Sequence, residues 1–142
     1  MATETVYIPW HRVREHTARM RETGSTEGVE VLGSPVVLLT LRGAKTGRLY
    51  YKPVMRVEDN GSYAVVASKR GASEHPTWYF SIKADPEVSL LDGTETKLCV
   101  AREVGGAERA AWWERAVKAF PSYAEYQAKT DRRFPILVLE SK

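Results

Sequence analysis

Asp59-Asn60-Gly61 is the feature that most constrains the fold, because Asn-Gly accepts the positive φ angles of a two-residue hairpin turn. Runs that suit strands flank it. Residues 48–58 alternate well enough for one strand, and residues 62–68 (SYAVVAS) read as its return. Upstream, residues 36–41 (VVLLTL) form a continuous apolar run, fit for a strand buried on both faces. A tight turn, Gly43-Ala44-Lys45-Thr46-Gly47, follows it. Asp92-Gly93 marks a second hairpin, between residues 88–91 and 94–101, and residues 134–140 (FPILVLE) read as a last strand.

Helical spacing appears at the ends and once between. Residues 9–22 open with Pro9 and place Trp10, Val13, Thr17 and Met20 along one stripe. Gly24 ends that helix, and residues 24–28 read as a mobile connection. His75-Pro76-Thr77-Trp78-Tyr79-Phe80 opens a short helix. Ala110, Trp113, Val117 and Phe120 share a helical face that Pro121 terminates, and a shorter helix covers residues 122–129. The expected class is mainly β with peripheral helices (α+β), an antiparallel barrel or curled sheet. At 142 residues the chain suits a single core. It divides into residues 1–32, helix and connection, and residues 33–142, the barrel.

Charge is concentrated. The net charge is +3, yet between Arg42 and Arg70 seven cations face only Glu58 and Asp59. One segment holds the whole positive balance, which suits an anionic partner: phosphate, carboxylate, nucleic acid or an acidic membrane surface. Within it, Gly43-Ala44-Lys45-Thr46-Gly47-Arg48 combines two flexible glycines with two cations and a hydroxyl, donors that grip phosphate or carboxylate. A solvated basic turn would look the same. By strand alternation Arg48, Tyr50, Lys52, Val54 and Arg56 share a face. Three cations there repel unless an anion or acids lie opposite, or unless the strand is an exposed edge. If the hairpin brings Ser68-Lys69-Arg70 back beside Arg48, the two form one rim. Trp78 and Tyr79 could stack on a planar heterocycle or pack in the core. Tyr123 and Tyr126, three apart on a helix, could line an apolar pocket or sit on the surface.

Several chemistries lack their residues. His11, His16 and His75 have no metal-ligand spacing, and Cys99, the single cysteine, excludes a disulfide framework and sits among apolar neighbours. GxSxG, HExxH, GxGxxG and a Walker loop do not occur. A redox or transfer reaction would therefore rest on a bound cofactor. No apolar run approaches the roughly 20 residues of a membrane span, and MATETVYIPWHRVRE has no apolar signal region, so a cytoplasmic protein is expected.

The order of these motifs resembles the deazaflavin-dependent nitroreductase family of actinobacteria, from about Gly33 onward, through GAKTGR, KPVMRVEDNG, VASKRGASEHPTWY and FPSYAEYQAKTDR. The resemblance implies a split β-barrel that binds coenzyme F420, a deazaflavin, with FMN the second candidate. It implies hydride transfer from the reduced cofactor to an electrophilic acceptor, a quinone or a nitroaromatic compound. The anionic tail of that cofactor matches the basic turn. The resemblance assigns Ala44, Lys45, Thr46, Gly47 and Arg48 to the phosphate side, and Pro53, Val54, Met55 and Arg56 to the stretch beside the cofactor. Ala67, Ser68 and Lys69 fall at the ring, with Trp78 and Tyr79 just after, and Leu38, Thr40, Leu49, Val57 and Val66 complete the cofactor set. Tyr123 and Tyr126 border the acceptor, and with Ser68 they are the expected polar catalytic groups. No metal is implied. Tyr51 and Lys52 depart from the basic residue and threonine often found before Pro-x-Met, and Phe120 stands where some members have a tyrosine. The rival readings are an FMN-dependent split-barrel reductase, a non-catalytic deazaflavin carrier and a single-strand nucleic-acid binder. The acids outside residues 42–70 argue against the last of these. Residues 9–22 serve as a packed helix or lid, or touch the inner face of the membrane.

Overall fold

The apolar run forms the central strand. In the computed structural model, which describes residues 10–142 with side chains from Glu15 onward, β2 (Ser34–Arg42) has neighbours on both edges. Leu38, Leu39 and Thr40 face β3 (Leu49–Met55) on one side and β6 (Glu87–Asp92) on the other. The remaining elements are α1 (Trp10–Thr23), β1 (Glu30–Val31), β4 (Glu58–Asp59), β5 (Ser62–Val66), α2 (Thr77–Ala84), β7 (Glu95–Glu103), α3 (Gly106–Ala119), α4 (Ser122–Ala128) and β8 (Ile136–Ser141). The strands make one curled antiparallel sheet in the order β1-β2-β6-β7-β8-β5-β4, with β3 on the free edge of β2.

The Asn60-Gly61 turn forms as its residues demand, with φ +51° and +85°, but the hairpin is short. The expected strand over residues 48–58 bends at Arg56-Val57. Its first part pairs with β2, from Val36↔Met55 to Arg42↔Leu49, and not with residues 62–68. Beyond the bend, Val57 accepts a hydrogen bond from the Ala64 amide, and β4 pairs with β5 over two residues. One segment therefore belongs to both margins of the sheet. The barrel closes at the β4 end and stays open as a seam between β3 and β5. Arg48 O and Arg56 N both bond toward β2, so by alternation Pro53 turns its missing N–H to the open edge, where a proline costs no ladder bond.

Both faces of the sheet are covered. Val37, Leu39, Leu41, Val65, Leu90 and Leu139 pack with Trp78 and Ile82 of α2. Val36, Leu38, Val66, Ile136 and Val138 pack with Met20 of α1, Trp112 and Ala116 of α3, and Tyr123 of α4. The buried line of α3 is Trp112-Ala116, running on to Phe120; of the expected Ala110-Trp113-Val117-Phe120 face, Phe120 is buried as expected, while Trp113 and Val117 are half-buried against the same core. Two adjacent tryptophans made either face plausible, and Ala110 is exposed. On α1, Met20 is fully buried, while Trp10 and Val13 have side chains outside the described residues, as does Pro9. Residues 24–28 are pinned rather than loose. Thr26 is buried, its amide donates to Gly93 O at 2.9 Å, and its hydroxyl accepts from the Gly93 amide at 2.7 Å.

Candidate active site

Six of the seven cations of the basic segment fall into two kinds. Arg56 is held on the sheet: its Nε donates to both Asp92 oxygens at 3.0 Å, and Tyr63 donates its hydroxyl to the same carboxylate. Burial alone would push Asp92 up, but these hydrogen bonds outweigh it and hold the carboxyl below its usual range. Arg42 lies 3.8 Å from Asp85 and donates to Gly47 O, and Lys69 lies 3.1 Å from Glu74. Lys45, Arg48 and Lys52 have no hydrogen bond or ion pair from their side chains among the described residues.

Lys45 and Arg48 project from the turn between β2 and β3. Gly43 and Gly47 make that turn. Gly47 has φ +71°, and a Cβ on Gly43 would lie 2.7 Å from Thr46 Oγ1. Lys52 stands on the α2-facing side of β3, opposite Leu39 and between Tyr50 and Val54. It is half-buried, and its ammonium is pushed below the usual lysine value, first by burial and then by the positive field of Arg70. Arg70 also bears on Tyr126 of α4. Arg70 thus acts electrostatically on both Lys52 and Tyr126, which come from two other elements.

The far side of the seam is the turn after β5. Lys69, Arg70 and Gly71 follow one another at φ +45°, +53° and +85°, a left-handed run that side-chain-bearing residues avoid unless held. Gly71 is required by space as well as by φ: a Cβ there would lie 2.6 Å from Tyr126 O. Ser68 opens the turn. It is buried, and its hydroxyl has no partner among the described residues. Tyr123, packed at 5.1 Å against Phe120, likewise buries a hydroxyl with no partner. Burial raises its pKa, with Tyr126 adding to the shift, so this phenol stays protonated and can donate. Burial raises Tyr126 as well.

The expected cofactor residues do not form a single wall. Val54, Ala67, Trp78 and Tyr79 lie with the α2-side cluster, whereas Leu38, Met55, Val57 and Val66 lie with the other. Trp78 packs into the core at 6% exposure. Tyr79 donates its hydroxyl to Glu103 at 2.7 Å, and burial together with that carboxylate pushes its pKa up to about 12. Leu38 and Thr40 line a cleft of about 550 Å³ under α1, with Tyr51, Ser89, Leu91 and Thr96. Arg21 stacks 3.9 Å from the centre of the Tyr51 ring at its mouth. Leu49 is exposed beside Arg48. The proposed rim joining Arg48 to Ser68–Arg70 through one hairpin is not the arrangement found, because β3 and β5 are not paired; across the seam, Lys52 feels the positive field of Arg70.

Sequence reading missed Arg132. Its guanidinium donates to Ala67 O at 2.9 Å, Ser68 O at 2.6 Å and Ala72 O at 2.9 Å, and reaches His75 Nδ1 at 2.7 Å. The one available signal was its place in the run Thr130-Asp131-Arg132-Arg133, which reads as solvated charge.

The donor set fits an anionic heterocyclic cofactor. Exposed cations with no acid partner among the described residues stand at the turn, and the buried hydroxyls of Ser68 and Tyr123, likewise without a partner among those residues, stand on the elements lining the seam. Comparison with known proteins identifies that cofactor. Residues 12–141 match the family model described as F420H(2)-dependent quinone reductase. An F420H(2)-dependent quinone reductase of Mycobacterium tuberculosis is 31% identical over 131 residues, covering 89% of this chain and 88% of its own. A solved F420-H2 dependent reductase (FDR-A) is 54% identical, with TM-score 0.72, over 80% of this chain and all of that one. A solved domain-swapped dimer is 53% identical, with TM-score 0.74, over 94% of this chain. The haem storage protein HutZ of Vibrio cholerae, 16% identical at TM-score 0.58, shares the fold alone. The curled sheet with its seam is thus a split barrel, and the chain belongs to the F420H(2)-dependent quinone reductase family, oxidoreductases that depend on the deazaflavin coenzyme F420.

Proposed function

We propose that this chain reduces a quinone at the expense of reduced coenzyme F420, with activated nitroaromatic compounds as a second acceptor class. The observation that carries the reading is a set of three cations with no acid partner among the described residues, Lys45 and Arg48 on the β2–β3 turn and Lys52 on β3, in a chain of this family. Lys45, Thr46 and Arg48, with the amides of Ala44 and Gly47, hold the phosphodiester and carboxylates of the tail. Val54, Met55, Ala67, Ser68 and Lys69 flank the ring from the two sides of the seam. When bound, the reduced deazaflavin supplies the hydride from its C5. A quinone that gains a hydride bears negative charge on oxygen. Tyr123 and Tyr126, kept protonated by burial, and Ser68, with its free hydroxyl, are the hydrogen-bond donors for that oxygen. Solvent supplies the proton that completes the quinol. Most of the acceleration then comes from holding donor and acceptor together, since the cofactor is the reactive group.

Phe120 in place of a tyrosine leaves the α4 side with Tyr123 and Tyr126 as its phenols and makes it more apolar, which suits a hydrophobic acceptor. Among the described residues no helix is long and apolar enough to cross a membrane. We place the reaction in the cytoplasm, with α1 as the segment that could meet a membrane carrying a lipid quinone.

The test is a fluorescence titration with coenzyme F420 and, separately, FMN, followed by menadione added to the reduced complex. Micromolar binding of the deazaflavin and its oxidation by menadione are expected. No deazaflavin binding at micromolar concentrations overturns the reading, and binding without oxidation by any quinone or nitro compound favours a carrier.

A further inference from the structure

We propose that Arg132 is a positioning residue: it holds the Ser68–Gly71 turn in the shape that receives the cofactor and ties that turn to the acceptor-side helix α4. The inference rests on the quinone-reductase reading for what the turn receives, but not for how the turn is held.

One guanidinium donates to three backbone carbonyls of the same turn, those of Ala67, Ser68 and Ala72. Arginine has only donors, so His75 Nδ1 must accept, which fixes the ring proton of His75 on Nε2. The fork thus clasps residues 67, 68, 72 and 75 across a segment whose middle, Lys69-Arg70-Gly71, is left-handed. Two side-chain-bearing residues persist there only if the surroundings over-determine them. Within the segment, the turn's own bonds are Gly71 N to Ser68 O at 2.9 Å and Ala72 N to Lys69 O at 3.1 Å. Arg132 adds three more bonds, to the carbonyls of Ala67, Ser68 and Ala72.

Arg132 is itself held from α4. Gln127 Nε2 donates to Arg132 O at 2.7 Å, Gln127 Oε1 accepts from the Phe134 amide at 3.3 Å, and the guanidinium lies 4.7 Å over the Phe134 ring. Phe134 is fully buried. The helix that bears Tyr123 and Tyr126 and the turn that bears Ser68, Lys69 and Arg70 are therefore tied to each other through Gln127 and Arg132, beside the close approach of Gly71 to Tyr126 O. Lysine replaces it only in part, because an ammonium on a flexible stem does not reach three carbonyls in a fixed fork.

The test compares wild type with Arg132→Met and Arg132→Lys, and with Arg102→Met as control. Arg102 pairs with Glu108 and Glu140 away from the turn. Amide hydrogen exchange is followed in the cofactor-free proteins, and coenzyme F420 affinity is followed by fluorescence. Arg132→Met should speed exchange at residues 69–72 while β6 and β7 stay protected. It should also weaken cofactor binding roughly tenfold or more. Arg132→Lys should recover part of both effects, and low added guanidinium should restore part of the affinity of Arg132→Met. If Arg132→Met does not fold, Arg132→Lys carries the comparison against wild type. Affinity within about twofold of wild type overturns the proposal, as does exchange that rises evenly over the whole sheet. Failure of the wild type to bind the deazaflavin overturns the quinone-reductase reading instead. The local exchange then still decides whether Arg132 holds the turn.

Discussion

Arg56 and Lys52 come from one short stretch of chain, four residues apart, and have opposite fates. Arg56 is matched by Asp92, with Glu58 at 3.9 Å and Tyr63 completing the cluster. Lys52 is half-buried, has no acid partner among the described residues, and lies in the positive field of Arg70. The first arrangement is what a folded chain does with a charge it uses structurally. The second costs stability and makes sense where an anion arrives from outside. A count of basic residues in sequence cannot separate them, because the matching acid, Asp92, arrives from the end of β6, far along the chain.

The largest test of that contrast is the double change Lys45→Ala with Arg48→Ala. Cofactor affinity should fall about 100-fold at low salt, each charge-assisted contact being worth about tenfold, and the deficit should shrink as salt is added. The melting temperature should stay unchanged. A matching loss of thermal stability would place these cations in Arg56's class. Next, Asp92→Asn should cost about 2 kcal/mol in urea unfolding, between the values for exposed and buried pairs. The depressed carboxyl contributes stability above the unfolded carboxylate pKa and loses it as pH falls through the folded value. The acid limb of the stability curve should accordingly flatten in Asp92→Asn; an unaltered limb would mean that Arg56 does not depend on this partner.

Lys52→Met should act in the opposite sense, raising stability by about 0.5–1 kcal/mol while weakening cofactor binding. Because the folded ammonium is held below its ordinary value, the unfolded chain binds more protons in the window just below it. Stability should therefore rise with pH there while affinity for the anion falls. Parallel changes of the two would contradict the assignment. The smallest effect is expected at Glu74→Gln, which releases Lys69 from an exposed pair: under about 0.5 kcal/mol in stability, with binding equal or slightly tighter.

Much of the fold was legible locally. The positive-φ signals at Asn60-Gly61 and Gly93 and the apolar run of β2 each act over a few residues, and each turned out where the residues put it. The pairing of β3 was not legible, because the bend at Arg56-Val57 is set by partners on both margins, Pro35 O and Ala64 N, and nothing in the alternation announces it. The site divides the same way. Its cationic turn is contiguous in sequence, so composition reveals it. Arg132 works through carbonyls 60 to 65 residues away, and backbone acceptors leave no trace in side-chain pattern.

Pro53 has one further consequence. A sheet margin left open for a small molecule also offers its backbone to any extended polypeptide, and such margins seed self-association. With the proline nitrogen turned outward, β3 lacks a donor in the middle of its free edge, and the lysine before it places charge beside the approach of a second strand. The opening is guarded by its own backbone chemistry, so the protein can keep a gap in its barrel without becoming a template for aggregation.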